Sequence, residues 1–338
     1  MTSIYRPILK IAWQILWRAK YLWIFGLFAV LVMNSGEFNL VVNNFSGLTE
    51  RSQTLLQWQD FYQQGILGNM WHNFKDLFVN FSLNTLLLIA LLVFLFLFVL
   101  WLAIVSEAGL VAGSYREYRN LPIHFREAFA LGRQNFWPVL WLNVVGKIVV
   151  SGLLALLSLP LAWLYFKTQS GFWQFIFVLV SFVVLIPVAV LVSFLVKYAV
   201  MFVVLKKDNL KQAITNSWKF FKKYWVISIE MAIVMFLVGI LAVLAMIILA
   251  VVLILPLALV LYIVYVLQIS GLMMFAIIFS LALMAILLFW IGALLSTYQI
   301  TAWVILFERL NESTAYAKIA RLAAKWFSKK PETSMVEE

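Results

Sequence analysis

Four ionisable residues, Glu107, Lys147, Lys197 and Glu230, fall inside long apolar stretches of this chain. A charge at the centre of a bilayer costs at least roughly 2.5–3.5 kcal/mol, so such residues pair with one another or serve a pathway. Glu107 lies eight residues before Tyr115, Lys197 nine before Lys206, Lys147 ten after Trp137 and Glu230 five after Trp225. At a helical rise of 1.5 Å per residue this puts all four roughly 7 to 15 Å from the same end of their helices. Glu107 is also 13 residues before Asn120, Lys197 12 before Asn209, and Gln299 12 before Asn311. If the helices pack around a common axis, Glu107, Lys197 and Gln299 face each other. Two acids and two bases at one depth support either a buried ion pair that fixes helix register or a site for an ion, a proton or a headgroup. Lys147 and Lys197 also have the length to snorkel to the interface.

Other chemistry is excluded by composition. The absence of cysteine removes disulfides, Cys-ligated zinc and thiol catalysis, and the only histidines are His72 and His124. Neither a G-x-x-x-x-G-K-[ST] loop nor an H-E-x-x-H helix occurs. A serine hydrolase needs a histidine to activate its serine, and neither histidine falls in a span. No predicted span contains Asp, which removes the paired-aspartate pattern of membrane phospho-alcohol transferases. The sequence therefore predicts no catalytic, cofactor-binding or metal residues, no cofactor and no enzyme activity.

The elements that position the charges are membrane helices. The 338 residues are 65% apolar and 12% charged, where a soluble domain carries about 25% charge. A span needs about 20 apolar residues, and six fit: one from Tyr21 to near Met33, then about Leu83–Ala112, Phe136–Phe166, Phe172–Leu205, and two more within 225–307 that break between Pro256 and Gly271. The first has basic residues ahead of it but no small-x-small cleavage site after it, so it reads as an uncleaved helix. Several spans exceed what about 30 Å of hydrocarbon requires, which calls for tilt or for kinks at Pro187 or Pro256. The net charge of +11 does not point to nucleic acid. Most Lys and Arg flank predicted spans on one side, as the positive-inside rule requires. Both termini and the connectors 113–136 and 206–224 are thus expected in the cytoplasm, with the acidic segment 34–80 outside.

Those connectors repeat. In 210–225, Leu210, Ala213, Ile214, Ser217, Trp218, Phe221 and Trp225 share one helical face, opposite Lys211, Lys219, Lys222 and Lys223. Asp208 or Asn209 caps that helix. Residues 120–136 follow the same plan, with Asn120 as cap and Phe125, Ala128, Phe129, Gly132 and Phe136 opposite Arg126 and Arg133. At the N-terminus, Arg6, Lys10, Gln14 and Arg18 lie opposite Ile8, Ala12, Ile15 and Leu16. Residues 311–328 are a fourth copy, and 329–338 form a disordered tail. The expected fold is all-α: one membrane domain over 1–328, with repeat units at about 4–112, 113–205 and 206–307 and a closing helix. Basic residues beside Trp, Phe and Leu suit a helix lying in the lipid interface. Such helices anchor the bundle and set its topology, recognise anionic headgroups through Lys211, Lys219, Lys222, Lys223, Arg126 and Arg133, or dock a soluble partner. Gly109 and Gly113 form a G-x-x-x-G, read as close helix packing, with dimerisation as a lesser reading.

Three segments carry a resemblance. Ala12-Trp13 leads to Lys20-Tyr21-Leu22-Trp23-Ile24-Phe25-Gly26. Ser106-Glu107-Ala108-Gly109-Leu110 runs into an Arg-rich connector. Val204-Leu205-Lys206-Lys207-Asp208 precedes Ala213-Ile214-Thr215-Asn216-Ser217-Trp218. The layout resembles bacterial six-span integral membrane proteins related to the membrane domain of glycerophosphoryl diester phosphodiesterases. The resemblance implies a bacterial inner-membrane protein, and with 31 residues after Phe307 no hydrolase domain is expected in this chain. The combined expectation is a non-enzymatic membrane protein working on or with lipids; the alternative is a small transporter or channel using the buried charges. Membrane lipids, anionic ones included, are the expected partners, beside an unidentified membrane or cytoplasmic protein.

Overall fold

The computed structural model describes residues 5–32, 83–121, 123–167, 171–266 and 270–312. Among them it contains eight helices and no strand: α1 Tyr5–Arg18, α2 Leu22–Val32, α3 Leu83–Tyr118, α4 Phe125–Gln134, α5 Phe136–Lys167, α6 Gly171–Lys206, α7 Leu210–Val266 and α8 Ser270–Glu312. Five of these are long and apolar enough to cross a membrane, within Leu86–Tyr118, Phe136–Leu153, Pro187–Lys206, Leu210–Val264 and Met274–Glu312. That is the mark of a multi-pass membrane protein. The start of the first expected span is α2. Its continuation, the segment 34–80, the closing helix and the tail lie outside the described residues.

The chain divides into two compact units, Asn34–Leu102 and the remainder. Of the first, the described part is the opening of α3, whose Leu86–Phe98 side chains are mostly exposed, as lipid-facing residues are. Phe98 stacks on Phe94 and on Trp101.

In the larger unit α8 is the hub. It packs on α1, α2 and α7, while α6 packs between α5 and α7. The core sits toward one end, where α3, α6 and α8 finish. Ala103–Ser106, Ala108–Ala112, Tyr198–Met201 and Thr301–Glu308 are all buried. Away from that end the helices show exposed Leu, Ile, Val and Phe, as Leu241, Leu255 and Phe275 do. Small residues permit close approaches. Gly109 of α3 faces Ala128 and Phe25, and Gly113 faces Leu22 and Ala128. The G-x-x-x-G thus serves packing of α2 and α4 on α3.

Local chemistry explains the helix boundaries and corrects two expectations. Asn120 does not cap α4, which starts after His124. Asn120 instead ends α3 at φ 56°. Its N–H donates to Glu117 O at 3.2 Å and that of Leu121 to Arg116 O at 2.9 Å, the paired bonds of a Schellman end, where Asn is a tolerated left-handed residue. At α7 the cap falls where expected. The Asn209 carbonyl accepts from Ala213 N at 2.8 Å, and Gln212 Oε1 reaches back to Asn209 N at 3.4 Å. The buried seam of this segment is Ala213, Ser217, Phe220 and Tyr224, while Ile214, Trp218 and Trp225 are exposed. The expected face was therefore rotated: Phe220 and Tyr224 fill an aromatic cluster, and the displaced apolar residues are left at the surface. Within α7 the backbone leaves helical geometry at Tyr224 (φ −123°, ψ 24°). There Ser228 Oγ takes the Tyr224 carbonyl at 3.0 Å, a side-chain insertion of the kind that bends helices.

Candidate functional site

Glu107, Lys197 and Glu230 each find a partner among the described residues. On α5, Asn143 is 4% exposed. Its amide donates to Glu107 Oε2 on α3 at 2.8 Å and to Val139 O one turn back at 3.0 Å. Lys147, one turn further along α5, is exposed. No ion pair within 4.0 Å joins these two. Glu230 is 8% exposed and accepts a hydrogen bond from the Tyr5 hydroxyl of α1. Lys197 places its ammonium 5.0 Å from the centre of the Trp303 ring and 5.9 Å from that of Phe194, a cation–π arrangement that lowers the cost of burying its charge. Gln299 lies beside Gly239 of α7. The structure therefore puts Glu107 with α5, Lys197 with α8, and Gln299 with α7.

Around Lys197 lies an aromatic cluster from three helices. Tyr198 packs on Phe220, Trp303 and Phe307. Its hydroxyl meets Ser228 Oγ at 2.7 Å. Because Ser228 donates to Tyr224 O, Tyr198 is the donor in this bond. The polar tips thus stay satisfied within an apolar interior, as buried hydroxyls require.

A second polar group, not foreseen from the sequence, ties the helix ends together. Arg18, at the end of α1, donates to Glu117 Oε2 (Nη2 2.9 Å, Nε 3.2 Å) and to the Glu117 carbonyl at 2.7 Å. The Tyr21 hydroxyl donates to Glu117 Oε1 at 3.3 Å. Burial, reinforced by the Glu117 charge, pushes the Tyr21 phenol above its ordinary value. Arg119 bridges Glu308 and Glu312 of α8, and its hydrogen bond to Glu308 raises its already high pKa. Glu308 is 2% exposed, and its Oε2 has no hydrogen-bond partner among the described residues. Ser114 and Thr301 join the same two helices at 2.9 Å, and Arg116 pairs with Glu127 of α4 at 3.3 Å. The available signal was the run of arginines at the end of α3, but their acidic partners are distant in sequence.

The residues expected to meet headgroups have a different environment. Arg126, Arg133, Lys211, Lys219, Lys222 and Lys223 are all exposed. None of them enters an ion pair within 4.0 Å among the described residues. Lys222 rests on Trp218 at 4.9 Å and Lys223 on Tyr224 at 5.1 Å. On α1, Arg6, Lys10, Gln14 and Arg18 are exposed beside exposed Trp13 and Trp17, with Ile8, Ala12, Ile15 and Leu16 buried. No group of three or more His, Cys, Asp or Glu that could hold a metal ion occurs among the described residues.

These features define an all-helical chain of multi-pass membrane type, with polar contacts inside it and a basic surface at one end. Comparison with known protein families, curated proteins and solved structures finds no match to this chain.

Proposed function

We propose that this protein is a non-enzymatic component of the bacterial inner membrane that works with lipids, as a membrane-homeostasis factor or as the partner of a lipid enzyme. It has six spans, both termini in the cytoplasm, and amphipathic basic helices at the cytoplasmic interface. One observation carries the reading: the basic residues divide into two sets. Arg18, Arg116 and Arg119 are used in ion pairs between helices. Arg126, Arg133 and the four connector lysines stand exposed and outside any ion pair among the described residues, the lysines on the helix that carries exposed Trp218 and Trp225. A basic residue near an anionic leaflet contributes about 1 kcal/mol, so a set held free of acids is suited to phosphate headgroups. The threefold repeat is supported by matching ends. The chain leaves α3 through Asn120 at φ 56° and α6 through Lys207 at φ 59°, and α3, α6 and α8 each bury the turns just before their last one. The resemblance to the membrane domain of glycerophosphoryl diester phosphodiesterases agrees with a lipid-directed role.

The test is lipid retention by the purified protein. Replacement of Lys211, Lys219, Lys222 and Lys223 by Gln lowers affinity for anionic vesicles by roughly two orders of magnitude or more, at about 1 kcal/mol per residue. Unchanged retention of anionic lipid in that variant contradicts the proposal.

The second reading is a small transporter or channel using Glu107, Lys147, Lys197 and Glu230. The observation favouring it is the half-buried Glu107 carboxylate held by Asn143 among apolar helices. Ion flux in proteoliposomes that disappears in Glu107→Gln would establish it in place of the first.

A further inference from the structure

Asn143 spends one amide hydrogen on Val139 O and the other on Glu107 Oε2. It is buried, so it holds the carboxylate in one orientation. The other oxygen, Oε1, has no hydrogen-bond partner among the described residues, and it is not among the buried atoms left without one. It remains open at the seam between α3 and α5. Lys147 stands one turn beyond Asn143 on the same helix, exposed and not in a salt bridge with Glu107. Exposed Trp141, Val145 and Ile148 lie on a neighbouring face of the same helix. Inside apolar helices, opposite charges left apart are costly. A ligand that carries both a cation and an anion on a short linker, with apolar chains attached, removes that cost.

We propose that Glu107, Asn143 and Lys147 form a binding site for the headgroup of an ethanolamine-type zwitterionic phospholipid, its ammonium on Glu107 and its phosphate on Lys147. A primary ammonium donates N–H bonds to Glu107 Oε1, and charge-assisted bonds of this kind are the strong ones. A choline headgroup has no N–H and forms none. Asn143 is a positioning residue, since it acts through Glu107. The inference rests on the lipid-directed reading but concerns a different lipid class and different residues from the connector lysines.

The experiment uses the full chain reconstituted in nanodiscs that contain ethanolamine, choline and glycerol phospholipids in equal amounts. Lipid retained after detergent extraction is identified by native mass spectrometry. The unmodified protein retains the ethanolamine lipid over the choline lipid by at least about tenfold, equivalent to about 1.4 kcal/mol. Glu107→Gln and Lys147→Gln each abolish that preference and leave retention of the anionic glycerol lipid unchanged. Equal retention of ethanolamine and choline lipids by the unmodified protein overturns the proposal, and this arm decides alone should the variants fail to fold. An ethanolamine preference that survives both substitutions overturns it too. If the connector variants lose anionic lipid while the ethanolamine arm shows no preference, this site fails and the broader reading stands. If neither arm responds, both fail.

Discussion

Replacing Gly26 of α2 by Ala tests one of the tightest helix contacts among the described residues. A Cβ added there overlaps Thr297 Oγ1 and the Ala293 carbonyl oxygen of α8 and comes within 3.3 Å of Ala293 C. Thr297 is not free to rotate away without cost, because its hydroxyl donates to Ala293 O at 2.8 Å and lies 3.3 Å from Leu22 O. The Ala293 oxygen belongs to helix backbone and moves only if α8 moves. Insertion of an extra carbon into a tightly packed contact costs about 1–3 kcal/mol. The gain in helix propensity from Gly to Ala returns about 1 kcal/mol, which leaves a net loss of up to about 2 kcal/mol, and a deficit of about 1–3 kcal/mol against a Gly→Ala change without overlap. Gly152 of α5 is the control, since a Cβ there meets nothing within 4 Å. Gly152→Ala keeps only the propensity gain and is neutral to slightly stabilising. Thermal unfolding of the three proteins in one detergent makes the comparison. Gly26→Ala that melts at or above the temperature of Gly152→Ala refutes the α2–α8 packing described here.

Arg119→Gln leaves the buried Glu308 without its cation. Arg119 is itself partly exposed, so the loss falls between that of a surface pair and a buried one, about 1–3 kcal/mol. Glu308→Gln in the same background restores part of the melting temperature, and absence of any rescue argues against the pairing. The raised pKa of Tyr21 means that the unfolded chain releases this proton at lower pH than the folded one. Its contribution to stability is complete below the unfolded value near 10 and is lost as pH rises above it. Tyr21→Phe accordingly flattens the decline of melting temperature in alkaline buffer, and equal slopes for the two proteins contradict the assignment.

The membrane class of the chain was legible because uncharged stretches of this length have no place in a soluble domain. The break between α7 and α8 falls within the window set by Pro256 and Gly271, and the Asn209 cap is where its residue type put it. Rotation about a helix axis was harder to read. The pattern in 210–225 is compatible with seams through Phe221 or through Phe220, about 100° apart, and only packing against Tyr198 and Phe307 selects the second. Asn120 illustrates the same difficulty, since Asn serves both a helix start and a left-handed helix end, and the Glu117 and Arg116 carbonyls decide between them. Glu107, Lys197 and Glu230 are conspicuous in the sequence, but their partners Asn143, Trp303 and Tyr5 are unremarkable residues on other helices. The Arg119 bridge to Glu308 and Glu312 joins residues about 190 positions apart and leaves no local pattern.

The account depends most on the basic connectors lying together on the cytoplasmic face. The chain has no cysteine, so Gln212→Cys and Glu127→Cys, both at exposed positions, each supply a unique reporter. In intact cells neither should react with a membrane-impermeant maleimide, and both should react in inverted membrane vesicles. Labelling of either position from outside intact cells contradicts the topology, and with it the assignment of the exposed lysines to the anionic inner leaflet.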